Sequence, residues 1–288
     1  MIKPSLFTPV FIALLAGIAD MGRVVADTLP PADGIDWIAG TAIEGGMVVG
    51  RTVIPGQLAV DGAPLAKMDD GHFIIGFHRE SDAPVQLTLT DPAGTRTHIE
   101  LAVSQRQYNI QRIDGLKRDH VSPPQEVLDR IGADSAAVRA ARAMTDAGDK
   151  TGEFLAGFDM PVDGTITGVY GSQRILNGEP RQPHYGIDIA APAGTPVLAP
   201  AGGRVTLVRD LYFSGWTVLM THGLGLNSAF LHLEGVNVVE GEDVPRGGMI
   251  GKVGSTGRST GPHLDWRLDW QGRRLDAALV RNQLASGN

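Results

Sequence analysis

The chain has 288 residues, of which 42% are hydrophobic, and this is enough for two ordinary domains with cores of their own. Acidic residues outnumber basic ones by 32 to 25, and no dense Lys/Arg stretch is present, so the composition excludes a nucleic-acid partner. The absence of cysteine excludes disulfides and thiol catalysis. His, Asp and Glu therefore remain as the side chains able to bind a metal.

Residues 1–26 have the pattern of a signal peptide. Lys3 provides the positive start, residues 6–19 are mostly apolar, and small side chains precede a cleavage site near Ala26. The apolar run is shorter than the roughly 20 residues that a membrane-spanning helix needs. We therefore expect a periplasmic or secreted protein with no stable membrane insertion after cleavage. An uncleaved anchor, which Arg23 beside the cleavage site would favour, is the alternative.

Residues 33–105 predict an Ig-like antiparallel β-sandwich. Turn sequences such as Asp61-Gly62 separate short alternating runs of apolar and polar residues. These runs are residues 47–50, 58–60, 73–75, 85–90 and 98–103. His72, His78 and His98 stand in this region without a ligand-spaced acidic partner on the same face, so we interpret them as ordinary surface or edge residues.

Residues 106–150 are predicted to be a linker that contains an amphipathic helix. Ser122 as the N-cap, two prolines in the first turn and Gln125 closing a capping box mark the helix start. The buried face is predicted from the spacing of Val127, Leu128, Ile131, Val138 and Ala141. The sequence leaves open whether this helix only joins two domains or also covers an active cleft.

Residues 151–285 predict a second domain built almost entirely of strands. Strands are expected at residues 164–167, 184–190, 196–198, 203–208, 216–221, 228–233, 249–253 and 263–268. Almost no helical periodicity interrupts them before the end of the chain. The predicted fold class of the whole chain is therefore mainly β.

Three histidines on predicted strands point to a shared cleft. Strand alternation places His184 and Asp188 on one face, and it places His263 and Asp265 on one face in the same way. His232 lies between two leucines. Each segment alone is commonly structural, but together they supply several imidazole and carboxylate groups, which are ligands of zinc.

Three segments resemble, in order and approximate spacing, the signature segments of lysostaphin/LytM-type zinc metallopeptidases. They are His-Tyr-Gly-Ile-Asp at 184–188, Leu-His-Leu at 231–233 and Gly-Arg-Ser-Thr-Gly-Pro-His-Leu at 257–264. The resemblance covers about residues 158–279. It implies an all-β LytM-type domain, similar to duplicated-hybrid-motif domains, that binds one Zn²⁺ and hydrolyses peptide bonds in peptidoglycan stem peptides or crosslinks.

The resemblance also implies roles for individual residues. His184 and Asp188 correspond to the first two metal ligands, and His232 and His263 to the two catalytic histidines, a general base and an oxyanion donor in an order left open. Asp265 stands where the family has its third ligand, a histidine. A carboxylate binds zinc at about the same distance as an imidazole, so we expect Asp265 to be the third ligand. Two carboxylates would make the ion a weaker Lewis acid.

Parts of the sequence also fit two other functions. The main alternative is a catalytically weak or inactive LytM-type domain that binds cell wall or activates a separate cell-wall amidase. Residues 257–261 match the Gly-x-Ser-x-Gly elbow of serine hydrolases, but a strand pattern follows where that elbow needs a helix. Arg174, Asn177 and Tyr212 are candidate groove residues.

Overall fold

The computed structural model describes residues 29–113, 125–144 and 152–285. The predicted signal peptide and the predicted helix start at Ser122 lie outside these described residues. Within the described ranges, no helix combines the length and the apolar character needed to cross a membrane.

The N-terminal part of the chain is a sandwich of two antiparallel sheets, as its alternating pattern predicts. The strands are β1 (Ile35–Gly40), β2 (Met47–Thr52), β3 (Gln57–Val60), β4 (Ala63–Leu65), β5 (His72–Gly76), β6 (Val85–Thr90) and β7 (Arg96–Leu101). One sheet has the order β1-β2-β5 and the other the order β4-β3-β6-β7. Phe73, Leu87 and Leu101 are fully buried, because alternate side chains of each strand point into the core.

The rest of the described chain contains thirteen more strands and three helical segments. They are β8 (Ile110–Ile113), α1 (Gln125–Arg142), a 3₁₀ helix (Glu153–Ala156), β9 (Thr165–Gly168), β10 (Gln173–Leu176), β11 (Glu179–Pro180), β12 (Ile187–Ala190), β13 (Pro196–Leu198), β14 (Gly203–Leu211), β15 (Gly215–Gly223), β16 (Leu226–Val236), β17 (Asp243–Val244), β18 (Met249–Val253), β19 (His263–Trp270), β20 (Arg273–Leu275) and α2 (Ala277–Ala285). The whole chain is therefore mainly β, as predicted.

The main sheet of the C-terminal part of the chain has two different faces. Its strands run in the order β17-β14-β15-β16-β19-β12-β9. One face buries Val218, Phe230 and Trp266 in the principal core. Because side chains alternate along a strand, their neighbours Leu219 and Leu231 point to the opposite face and form a second cluster. That opposite face also carries the predicted site.

Helix α1 packs on this opposite face largely with the surface that its sequence predicts, and of the five predicted residues Leu128 alone is exposed. Its buried residues are Asp134 and Ala141, and Leu128 is 45% exposed. Ala141 joins the cluster of Leu219 and Leu231. Asp134 is buried because its carboxylate accepts a hydrogen bond from the backbone N–H of Tyr212 at 2.8 Å. A tertiary hydrogen bond thus accounts for a buried carboxylate on an otherwise apolar face.

The segment predicted as a linker also adds a strand to the predicted second domain. Strand β8 pairs in parallel with β10, and β10 pairs on its other edge with β11. The β10–β11 hairpin therefore depends on a strand from outside the predicted second domain.

Candidate metal centre

The three predicted ligands come together at strands β12 and β19. Antiparallel pairing places Asp188 directly opposite Asp265. His184 lies in the loop before β12, so the prediction that it stands on a strand was wrong. The loop is held by hydrogen bonds between the backbone of His184 and that of Gly171 and Ser172, each 2.8 Å. One ligand atom from each of His184, Asp188 and Asp265 lies within 4.8 Å of the others.

Two glycines make room for the carboxylates. A Cβ atom on Gly168 would lie 2.2 Å from Oδ2 of Asp188, and one on Gly186 would lie 2.2 Å from Oδ1 of Asp265. Carbon atoms do not approach oxygen this closely without a shift of one group. The absence of a side chain at these positions therefore lets both carboxylates lie against the backbone.

His184 and Asp188 form a pair that fits a metal ion. Nε2 of His184 lies 3.2 Å from Oδ1 of Asp188, and both atoms are buried without a hydrogen-bond partner among the described residues. Tetrahedral zinc with bonds of about 2.0–2.2 Å separates neighbouring ligand atoms by roughly 3.4 Å. Buried polar atoms normally have partners, so this orphaned pair has the donor types and the separation that a divalent ion would satisfy.

Asp265 differs from the other two residues because it already has a cationic partner. Nε of Arg267 lies 3.0 Å from both carboxylate oxygens, and Nη2 lies 2.5 Å from Oδ2. Asp265 is only 2% exposed. Burial opposes its ionisation, but the charge and hydrogen bonds of Arg267 hold the pKa of Asp265 below its ordinary value. A metal ion would have to share this carboxylate with the guanidinium, or compete for it.

The sequence prediction did not include Arg267. The sequence feature that could have indicated Arg267 as a site residue is its spacing. Residues two apart on a strand share a face, and Arg267 follows Asp265 by two. The same face continues to Asp269, which pairs with Arg142 of α1 at 2.7 Å. A row of alternating charges on β19 therefore connects the predicted site with the helix.

The two predicted catalytic histidines lie side by side, with ring centroids 4.8 Å apart. Nδ1 of His232 is 2.8 Å from the carbonyl oxygen of Thr256, and Nδ1 of His263 is 2.8 Å from that of Gly261. A carbonyl can only accept, so both Nδ1 atoms donate and both Nε2 atoms are left to accept or carry a second proton. Nε2 of His263 is 3.9 Å from Oδ1 of Asp188.

The backbone and surroundings of His232 are unusual. Its φ is +64°, a left-handed value that is uncommon outside glycine and here belongs to a bulged part of β16. The N–H of His232 donates to the carbonyl of Ser214 at 2.9 Å. Burial lowers the pKa of His232. The imidazole is therefore held in a fixed position and favoured in its neutral form.

A groove of about 2460 Å³ runs over the site. His184, Asp188 and His232 line it, and Val138 and Arg142 of α1 form part of its wall. The candidate groove residues Arg174, Asn177 and Tyr212 line it as well. Helix α1 therefore borders the same groove as the histidines, without covering His184, which keeps 19% of its side chain exposed.

Residues 182–277 match the model of Peptidase family M23. Peptidoglycan DD-endopeptidase ShyA of Vibrio cholerae is 40% identical over 104 residues, which are 36% of this chain and 24% of that protein. DD-carboxypeptidase/endopeptidase Mpg of Neisseria meningitidis is 42% identical over 97 residues, 34% of this chain and 22% of that protein. The chain thus spans about a quarter of the length of these curated relatives.

The likeness in structure extends beyond the matched domain. A solved structure described as a putative peptidase M23 from Pseudomonas aeruginosa aligns with 86% of this chain and 96% of its own, with a TM-score of 0.61 and 28% sequence identity. An alignment of 86% of the chain extends well beyond residues 182–277. The predicted fold is therefore confirmed.

Proposed function

We propose that this chain, whose residues 182–277 match the model of Peptidase family M23, is an exported zinc-dependent endopeptidase that hydrolyses peptide bonds in peptidoglycan stem peptides or crosslinks. The observation that carries the proposal is the orphaned pair of His184 and Asp188 beside two histidines whose Nε2 atoms have no hydrogen-bond partner among residues 29–113, 125–144 and 152–285. The names of the curated relatives support the substrate, and the N-terminal pattern supports export.

His184, Asp188 and Asp265 are the residues that would hold the metal. A bound divalent ion supplies a Lewis acid for a peptide carbonyl and lowers the pKa of a water molecule. The glycines at 168 and 186 and the hydrogen bonds around residue 184 hold the ligands in place before metal binds. Such preorganisation is what makes electrostatic catalysis effective.

The surroundings of the two histidines suggest different roles. His232 is 7% exposed, and burial keeps it neutral, so its Nε2 suits a general base that removes a proton from water. Nε2 of His263 faces Oδ1 of Asp188 at 3.9 Å, so a hydrogen carried there lies beside the predicted metal position. His263 therefore suits the donor that stabilises the developing oxyanion and later protonates the leaving amine.

Hydrolysis of purified peptidoglycan sacculi by the full chain tests this proposal. Released peptides are identified by mass spectrometry, and metal content is measured by elemental analysis. We expect near-stoichiometric zinc and new peptide termini in the wild type, and loss of both in His184→Ala. His98→Ala is the matched control, because His98 is exposed in the sandwich and bonds only Thr88 among the described residues. Wild type that releases no peptides after zinc is supplied would refute the enzymatic proposal.

One observation favours a second candidate function. Arg267 bonds both oxygens of Asp265, so the third ligand position already contains a positive charge without a metal. A groove arranged in this way would suit a domain that binds cell wall or activates a separate amidase. Metal-free wild type that still sediments with sacculi, without cleaving them, would support this alternative.

A further inference from the structure

The groove is basic although the chain is acidic. The net charge of the chain is −7, yet among the described residues six arginines line the groove and only two carboxylates do, those of Glu179 and Asp188. The arginines are Arg142, Arg174, Arg181, Arg258, Arg267 and Arg274. A concave surface with charges of one sign concentrates the opposite charge. The walls of this groove therefore favour an anionic ligand.

These arginines fall into two sets. Arg142 and Arg274 lie near Asp269, at 2.7 and 3.7 Å, and Arg267 pairs with Asp265, so these three have partners within the fold. The other set comprises Arg174, Arg181 and Arg258. Each is exposed, and none has a carboxylate within 4.0 Å among residues 29–113, 125–144 and 152–285. The second set can bind a ligand without breaking an existing ion pair.

Arg174 and Arg181 are neighbours on one wall of the groove. Arg174 lies on β10 and Arg181 directly follows β11, and the backbone N–H of Arg181 donates to the carbonyl of Arg174 at 2.8 Å. The segment then leads to His184. Two guanidinium groups are thus carried by a hairpin that is anchored beside the first predicted ligand.

Arg258 belongs to the other side of the groove. Its backbone N–H donates to the carbonyl of Phe213 at 2.8 Å, which attaches its loop to the turn between β14 and β15. In the sheet, β15 is separated from β12 by β16 and β19, the strands that carry His232 and His263. The predicted reacting centre therefore lies between Arg258 on one side and Arg174 and Arg181 on the other.

We propose that Arg174, Arg181 and Arg258 bind carboxylate groups of the substrate on both sides of the scissile bond, so that the site selects peptides with free carboxylates over neutral ones. This inference rests on the proposed function and adds its substrate class. A guanidinium binds a carboxylate through two parallel hydrogen bonds, which gives orientation as well as attraction. In a peptide with branched linkages, such free carboxylates lie along the chain as well as at its end.

Binding of two forms of one peptide tests the proposal separately from catalysis. The probes are a crosslinked stem-peptide dimer with free carboxylates and the same dimer with those carboxylates amidated. Affinity is measured by calorimetry on the full chain in the presence of chelator, so that no hydrolysis occurs. We expect the wild type to prefer the free acid on the order of tenfold, since each exposed ion pair adds a modest amount.

The decisive variant is the triple substitution Arg174→Gln, Arg181→Gln and Arg258→Gln. It should lose the preference for the free acid while keeping its affinity for the amidated dimer and its thermal stability, because all three side chains are exposed. Arg96→Gln is the matched control, since Arg96 is exposed on β7, away from the groove. Equal affinity of the wild type for both dimers, or a preference that survives in the triple variant, would overturn the proposal. A preference without hydrolysis in metal-loaded protein would contradict the proposed function alone.

Discussion

Replacing Arg267 by glutamine should destabilise the metal-free protein and strengthen its binding of zinc. Arg267 contacts both oxygens of Asp265, and Asp265 is 2% exposed. Glutamine keeps an amide donor but removes the positive charge. The carboxylate would then be buried without a cation, unless it takes up a proton or a metal ion.

The expected loss of stability depends on whether the Asp265 carboxylate stays charged or takes up a proton. Breaking a buried ion pair by removing one partner costs about 3–5 kcal/mol. Protonating a carboxyl of ordinary pKa at pH 7 costs about 4 kcal/mol, so proton uptake does not remove the penalty. At about 2–4 °C per kcal/mol for a chain of this size, we expect the Tm of Arg267→Gln to fall by roughly 6–20 °C in the presence of chelator.

Zinc should restore much of this loss, because a divalent ion supplies the missing charge. If the substitution tightens zinc binding 100-fold, saturating zinc adds about 2.7 kcal/mol more to the variant than to the wild type. The assay is thermal unfolding with chelator and with added zinc, combined with zinc titration by calorimetry. A variant as stable as the wild type, with unchanged zinc affinity, would refute the idea that Arg267 and a metal compete for Asp265.

The control for this experiment is Arg204→Gln. Arg204 also makes a two-pronged pair with an aspartate, Asp243, at 2.7 and 2.5 Å, but this pair is exposed. Exposed ion pairs contribute little to stability. Arg204→Gln should therefore leave both the Tm and zinc binding unchanged, and a large effect there would show that loss of any such pair perturbs the protein.

Three further substitutions test other parts of the structure. Gly186→Ala should cost about 1–3 kcal/mol and weaken zinc binding, because its Cβ would lie 2.2 Å from Oδ1 of Asp265, and denaturant unfolding with calorimetry measures both effects. Gly132→Ala is the opposite case, because a Cβ at this position of α1 meets nothing within 4 Å. It should add about 0.4–1 kcal/mol to the free energy of unfolding, and a loss of stability would contradict the helical conformation of residue 132. Burial lowers the pKa of His78 below its ordinary value of 6.5. Below about pH 6.5 the unfolded chain therefore binds more protons than the folded chain, and the free energy of unfolding falls as the pH drops. His78→Asn keeps an acceptor for the N–H of Arg274 and should flatten this decline, as unfolding measured from pH 5 to 7.5 would detect.

Local patterns were sufficient to predict most of the strands and the candidate ligands, but they missed strands such as β1, β8, β10 and β11. Apolar alternation recurs within a few residues, so the strand that carries His263 and Asp265 could be predicted without knowledge of its neighbours. The meeting of Asp188 with Asp265 depends on the pairing of strands far apart in the chain, and only the resemblance to a family suggested it.

Features created by long-range partners were missed. Asp134 is buried because its partner is the N–H of Tyr212, 78 residues away, and no helical periodicity contains that information. Leu128 is exposed although the helical spacing predicts it to be buried, because the sheet beneath α1 packs against other residues of the predicted face. Arg267 shares a predicted face with Asp265. Spacing alone, however, does not reveal that the guanidinium binds the carboxylate, which could instead bind water or a metal ion.

The parallel pairing of β8 with β10 bears on how the protein can be cut for experiments. A fragment that begins at residue 151 would keep the predicted second domain but would leave one edge of β10 without its hydrogen-bonding partner. An unpaired strand edge is a template for association with other chains. The hairpin that begins with β10 also carries Arg174 on the groove wall, so the fragment would lose support for part of its own binding surface. Residues 110–113 are therefore part of the smallest piece whose behaviour represents the intact protein.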